Sequence, residues 1–192
     1  SEMQTLEAHE QAMLASPDQQ ISLTDPDSRS MATSGRGSGV VGYNVQVAVD
    51  TEHHLIVAHE VTNSGSDRAQ LANMAKQAKA VLETETLEAV ADRGYFSSLE
   101  ILACHEAGIE AYVPKAKTSG AKFDGRFNND IFVYDAAQDV YICPAKETLT
   151  WRSFYVDKGK KLNSYWTSNC QNCTLKAQCT PGRERRVRRW EH

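Results

Sequence analysis

Leu87-Glu88-Ala89-Val90-Ala91-Asp92-Arg93-Gly94-Tyr95 decides how this chain is to be read. Leu87–Ala91 is an apolar run of strand length that ends at a carboxylate. Gly94 marks a turn. Ser97-Ser98-Leu99-Glu100 then has the form of a capping box, with Phe96 and Ile101 placed as its hydrophobic staple. Strand, turn and capped helix in that order belong to α/β folds, where ligands and metal ions gather at the carboxyl ends of strands. Asp92 is therefore a candidate metal ligand; the plainer account is a strand-end Asp that caps the turn behind it.

Working outward, the helix after Glu100 runs to about Ala107 and stops at Gly108. Ile109–Val113 is the next strand, ended by Pro114. Upstream, Leu71, Met74, Ala75, Ala78, Val81 and Leu82 recur at helical spacing, which predicts a helix over Asp67–Leu82 capped by Ser66. Asp67 in its first turn suits the positive end of the helix dipole. Gly42–Asp50 alternates, with Tyr43, Val45, Val47 and Val49 on one side and Asn44, Gln46 and Ala48 on the other, the mark of a strand. Thr51–His54 connects it to a second strand, Leu55–Val61, and Asp50, His53 and His54 fall in the turn. Further upstream lie a flexible stretch Ser30–Gly39, the turn-forming Thr24-Asp25-Pro26-Asp27-Ser28-Arg29, an extended piece Gln20–Leu23 and an acidic helix Ser1–Ala15.

Beyond Lys115 the texture changes, and a boundary is placed near Lys117. Lys117–Asn129 is polar and loop-like; Ile131–Tyr134, Val140–Ile142, Leu149–Val156 and Ser164–Thr167 are short, aromatic-rich strands. The expected organisation is a helical and loop lead-in over 1–40, a partial α/β core over 41–117 and a β-rich cysteine-containing subdomain over 118–192.

With 192 residues, 24% charged and 41% hydrophobic, the chain has room for one buried core and a small second unit. No apolar run is long enough to span a bilayer and no signal peptide is visible, so a cytoplasmic protein is expected. The net charge of −4 hides an asymmetry: residues 1–142 carry 10 Lys and Arg against 21 Asp and Glu, residues 143–192 carry 11 against 4. The basic end holds Arg183, Arg185, Arg186, Arg188 and Arg189 beside Trp151, Tyr155, Lys158, Lys160, Lys161 and Trp166. It is either a surface for DNA phosphates or a solvated, frayed terminus. Cys143, Cys170, Cys173 and Cys179 form C-x26-C-x2-C-x5-C. Four thiolates suit tetrahedral Zn²⁺, which would staple a unit with little core of its own; free or oxidised thiols are the alternative. Cys104 reads as a buried helix residue.

Thr24-Asp25-Pro26-Asp27-Ser28-Arg29, Gly42–Asp50, Ala91-Asp92-Arg93-Gly94-Tyr95 and the spacing of the cysteines together resemble bacterial insertion-sequence transposases of the DDE type, over nearly the whole chain. The resemblance implies an α/β fold of the RNase H-like kind, a mixed sheet flanked by helices, here incomplete. It implies DNA cleavage and strand transfer at insertion-sequence ends, with double-stranded DNA as partner, a homodimer as candidate assembly and a nucleoid-associated bacterial location. Three acidic residues of that family hold two Mg²⁺ (or Mn²⁺) ions. Asp92 matches the second of them. The first and the Glu have no match, so the chain reads as a central fragment, inactive alone. Asp25, Asp27 and Asp50 are the residues that could stand in for the first Asp; each has a plainer reading in a turn. Arg93 is a phosphate contact, a partner of Asp92 or a solvated side chain, and Tyr43 and Tyr95 read as packing residues. The competing functional reading is a zinc-stapled nucleic-acid-binding module without catalysis, a degenerate transposase remnant.

Overall fold

The computed structural model describes residues 2–31, 39–115 and 124–192. The glycine-containing stretch 32–38 and the segment 116–123, with the expected boundary and the start of the polar loop, lie outside the described residues. The chain is mixed α/β and divides into two compact units, Ser1–Ala116 and Lys117–His192. No helix among the described residues is long and apolar enough to cross a membrane.

The first unit opens with helix α1 (Glu2–Ala15), which buries nothing; Met3, Leu6, Met13 and Leu14 are all exposed. The extended piece expected at Gln20–Leu23 does not form a strand. Ser and Asp side chains there bond the backbone locally: Asp25 N donates to Ser22 Oγ, Asp27 N to Asp25 Oδ1, and Ser28 Oγ to the Asp25 carbonyl. Such bonds compete with ladder formation. The first strand is instead β1 (Arg29–Met31), antiparallel to β2 (Val40–Gly42).

The alternating segment forms β3 (Asn44–Val49), antiparallel to β4 (Ile56–Thr62) with Ala48 opposite Ala58 and Gln46 opposite Glu60. Asp50 closes the turn between them by accepting from the backbone N–H groups of Glu52 and His53. The faces of this ribbon are inverted relative to simple amphipathicity. Val45, Val47, Val49 and Val61 are exposed, Val45 at 59%, while Gln46 is 2% exposed. The reason lies in helix α2 (Leu71–Val81). Its Met74 and Ala78 pack on Ala48, Val57, Ala58 and Leu87, and only a face of small residues lets the helix approach this closely.

Strand β5 (Leu87–Val90), helix α3 (Ser98–Glu106) and strand β6 (Ile109–Tyr112) form a parallel strand–helix–strand unit, with Leu87 opposite Ile109. Gly108, at φ +67°, makes the left-handed turn out of α3. Leu71, Ala72 and Ala75 of α2 close over Cys104, which is fully buried, and Ile109. Leu87 belongs to both clusters, so α2 joins the two pairs of strands. Among the described residues β3–β4 and β5–β6 are separate two-stranded ladders, not one mixed sheet.

Two helix starts depart from expectation. Ser66 does cap, accepting from Arg68 N at 3.4 Å, but it caps a single 3₁₀ turn (Asp67–Ala69), and α2 begins only at Leu71. The capping box at Ser97–Glu100 does not form. Ser97 makes no side-chain cap bond, and Glu100 accepts from Ala72 N at 2.9 Å, at the positive end of α2. The carboxylate thus pins one helix to the other.

In the second unit, β7 (Val133–Asp135), β8 (Val140–Ile142), β9 (Thr148–Asp157), β10 (Lys160–Trp166) and β11 (Val187–Trp190) form an antiparallel sheet in the order β11-β10-β9-β8-β7, with a short helix α4 (Lys176–Cys179). Strand β11 reads in sequence only as a basic tail, because Val187 is flanked by Arg185, Arg186, Arg188 and Arg189; it pairs with Tyr165. Phe132, Leu149, Tyr165 and Val187 make the core. Tyr134 and Tyr165 both donate to Asp139 Oδ1 at 2.7 Å, which holds that carboxyl below its usual range. Leu149→Ala empties the centre of this small core and should cost about 2–5 kcal/mol. Urea unfolding checks it, with Val47→Thr on the uncovered face as the comparison that changes stability by no more than about 0.5 kcal/mol.

Candidate functional site

A buried amide organises the loops around Asp92. Gln46 projects from β3 toward the helix side, and its Nε2 donates to Asp67 Oδ1 at 2.7 Å and to Asn44 Oδ1 at 2.9 Å. Asn44 Nδ2 donates to the same Asp67 oxygen at 2.7 Å and to the Ser64 carbonyl at 3.1 Å. On its other side Gln46 Oε1 accepts the Tyr95 hydroxyl at 2.5 Å. Burial, and then the negative charges of Asp67 and Asp92, push the Tyr95 phenol up. Tyr95 is therefore a tether as well as a packing residue.

Asp92 lies two residues beyond the end of β5 and caps the 3₁₀ turn Arg93–Tyr95. Its Oδ1 accepts from Gly94 N at 2.6 Å, the turn cap that the plainer reading anticipated. The side chain is nonetheless exposed, and it lines an open depression of about 500 Å³ with Asp67, Arg93, Gly94 and Pro114. Asp67 reaches the same place from the turn before α2. A Cβ placed on Gly94 would stand 2.9 Å from Asp92 Oδ1 and 3.8 Å from Asp67 Oδ2, so glycine leaves room for the capping oxygen of Asp92, with Asp67 in van der Waals reach of the same point. One oxygen of Asp67 is held by two amides; the other is directed at this gap.

Asp25, Asp27 and Asp50 are placed in turns. Asp25 accepts from Asp27 N and from the Tyr43 hydroxyl at 2.8 Å; Asp50 accepts from the turn N–H groups and from His53. None of them lines the depression around Asp92. Arg93 is exposed and forms no ion pair among the described residues. Sequence reading missed Asp67 and Gln46. The available signal was two amides, Asn44 and Gln46, on the strand face that also carries Ala48.

In the second unit Cys143, Cys170, Cys173 and Cys179 line one cavity of about 30 Å³ with Phe132, Leu149 and Arg185. Cys173 N donates to the Cys170 carbonyl at 3.4 Å, a tight turn between the paired cysteines. Burial pushes the Cys179 thiol up, Arg185 draws it down, and the other three sulfurs raise it further. Arg185 Nε is buried without an acceptor among the described residues. No group of three or more His, Cys, Asp or Glu among the described residues stands in position to hold a metal ion, at either place.

Gln46→Leu replaces the buried amide by an apolar side chain of similar length. It should lower stability by about 1–3 kcal/mol, because Asp67, Asn44 and Tyr95 lose their common partner. Urea titration decides: an unchanged or more stable leucine variant removes the network from its central place.

No curated protein and no solved structure matches the chain. A family model described as a transposase DDE domain matches residues 5–159, which take in both carboxylates of the depression and the hairpin of β9. With a match over most of its length, the chain belongs to the transposase DDE domain family.

Proposed function

We propose that this chain is the central part of a DDE transposase, which cleaves DNA and transfers strands at insertion-sequence ends, and that Asp92 is one of its metal-binding carboxylates. The observation that carries this reading is the convergence of Asp92 and Asp67, from two separate segments, on one open depression at the carboxyl end of β5. Mg²⁺ takes oxygen ligands and is commonly held by one or two carboxylates together with substrate phosphates, so the donor set fits one ion. When bound, such an ion polarises a phosphodiester and activates the attacking hydroxyl. The chain's own part is to orient. Gly94 N fixes one oxygen of Asp92, the two amides fix one oxygen of Asp67, and the free oxygens face solvent where a DNA backbone can approach.

Further carboxylates would come from chain beyond this one, on an RNase H-like sheet that these strands only begin. Two features favour that. The β3–β4 and β5–β6 ladders share helix α2 without pairing with each other. The valines of β3 are uncovered, as on a sheet face that awaits a layer. The chain alone is then inactive. Asp92→Ala in the complete transposase should reduce strand transfer to background while circular dichroism stays unchanged and stability falls by no more than about 2 kcal/mol, the loss of the cap on Gly94 N; an active alanine enzyme removes Asp92 from catalysis.

The four thiols carry a separable proposal, a structural Zn²⁺ in the second unit. They share one cavity, and the orphaned Arg185 Nε offers a donor to thiolate charge there. Ligation requires the sulfurs to close in from where they stand. Purified, reduced chain should hold about one zinc per molecule and lose thermal stability on chelation. A metal-free chain that melts cooperatively at the same temperature with and without chelator refutes the staple.

A further inference from the structure

The sheet of the second unit presents cations in a fixed array on one face. In its register Tyr155, Leu162 and Trp190 lie in one cross-strand row, and Ser153, Ser164 and Arg188 in the next. Side chains two apart on a strand share a face. Lys160 therefore lies on this face with Leu162, and Trp166 with Ser164. Each cation here sits on a ring. Lys160 Nζ is 5.3 Å from the Trp190 centroid, the Arg188 guanidinium 5.1 Å from Tyr155, and that of Arg186 4.6 Å from Trp166.

A guanidinium stacked on an aromatic ring engages it through its flat face and keeps its N–H edge for acceptors. Arg186 gives part of that edge to Glu184 at 2.8 Å. Lys160 and Arg188 have no acidic partner among the described residues, and Arg188 is exposed. Packing alone accounts for the rings beneath the cations but not for charges left uncompensated in a segment whose balance, over 143–192, is 11 basic residues against 4 acidic. Arg186 and Arg188 are two residues apart, about 7 Å along an extended chain. That is comparable to the separation of successive phosphates on one nucleic-acid strand.

We infer that this face, Lys160, Arg188 and Arg186 on Trp190, Tyr155 and Trp166, is a docking surface for the phosphate backbone of duplex DNA, read without regard to base sequence. The inference rests on the DNA-processing role proposed above and locates the contact. The rings hold the cations in place before DNA arrives, so little side-chain freedom is lost on binding.

Fluorescence anisotropy of a labelled random-sequence duplex, titrated with the whole chain over a range of salt, tests it. Wild type should bind with log K falling linearly in log salt; the double variant Lys160→Ala/Arg188→Ala should weaken binding about tenfold or more and shrink the salt slope by about two. The charge-keeping Lys160→Arg/Arg188→Lys should retain the slope, and Lys76→Ala, at an exposed lysine of α2, should leave affinity unchanged. Should the alanine pair fail to fold, Arg188→Glu alone carries the comparison. Equal affinity and slope in wild type and the double variant overturn the docking face while leaving the DNA-processing reading in place. A wild-type chain that binds no duplex at low salt overturns the face as well. Strand transfer by the complete protein tests the catalytic reading on its own, so the two readings fail separately.

Discussion

One amide group holds the candidate site together. Gln46 is 2% exposed, and every polar atom of its side chain is engaged: Nε2 with Asp67 and Asn44, Oε1 with the Tyr95 hydroxyl. A buried amide without partners would cost several kcal/mol, so this arrangement is close to all-or-none. Its three partners come from β3, from the turn before α2 and from the turn after β5. The consequence is geometric. The segments that carry Asp67 and Asp92 cannot drift apart without breaking a bond to the same side chain. Gly94 completes the arrangement by leaving room for the Asp92 oxygen that caps its own N–H.

This also explains the inverted ribbon. A strand with valines on alternate positions ordinarily turns them inward. Here the inner side belongs to Asn44, Gln46 and Ala48, because the helix above needs small residues for close packing and the site needs amides. The alternation of β3 was legible in the sequence, as were the strand at Leu87–Val90, the stop at Gly108 and the burial of Cys104, each set by local pattern. Which face of β3 turns inward was not, since it depends on a helix some twenty residues away. Asp67 was hidden for the same reason. At a helix start it satisfies the dipole rule, and nothing local reveals that two amides of a distant strand take its oxygen. Glu100 shows the opposite error: a capping-box spacing that was recognised, with the carboxylate drawn to Ala72 N of a neighbouring helix instead. Strand β11 escaped because its register comes from pairing with β10, not from an apolar pattern of its own.

The second unit solves a different problem. Its buried apolar residues are few, and Phe132, Leu149, Tyr165 and Val187 cannot supply much stability to a sheet of five strands. Tyrosine does double service there: Tyr165 packs edge-on to Tyr134 and Tyr141, which are tilted against each other, with centroids 5.0–6.3 Å apart, while two of the three hydroxyls meet on Asp139. Cysteines at the margin of the same cluster, Cys143 and Cys179, extend it toward the cavity that all four thiols line. A unit built this way has reason to recruit a cross-link, and the zinc proposal above is one form that cross-link can take.

Cations over rings are the other economy of this sheet. Six of them occur among the described residues of the second unit, on Phe132, Tyr134, Phe154, Tyr155, Trp166 and Trp190. They divide by face. Arg189 on Tyr134 and Lys161 on Phe154 lie on the side shared with Tyr165, where Lys161 also meets Glu191 at 3.0 Å. There Arg189 lies over a ring that packs against the core, and Lys161 is the cation with an acidic partner. On the opposite side Arg186 meets Glu184 at 2.8 Å, while Lys160 and the exposed Arg188 have no acidic partner among the described residues. Strand register alone sets which cations share a face: the residues that alternate across β10 and β11 put Lys160 and Arg188 on one side and Lys161 and Arg189 on the other.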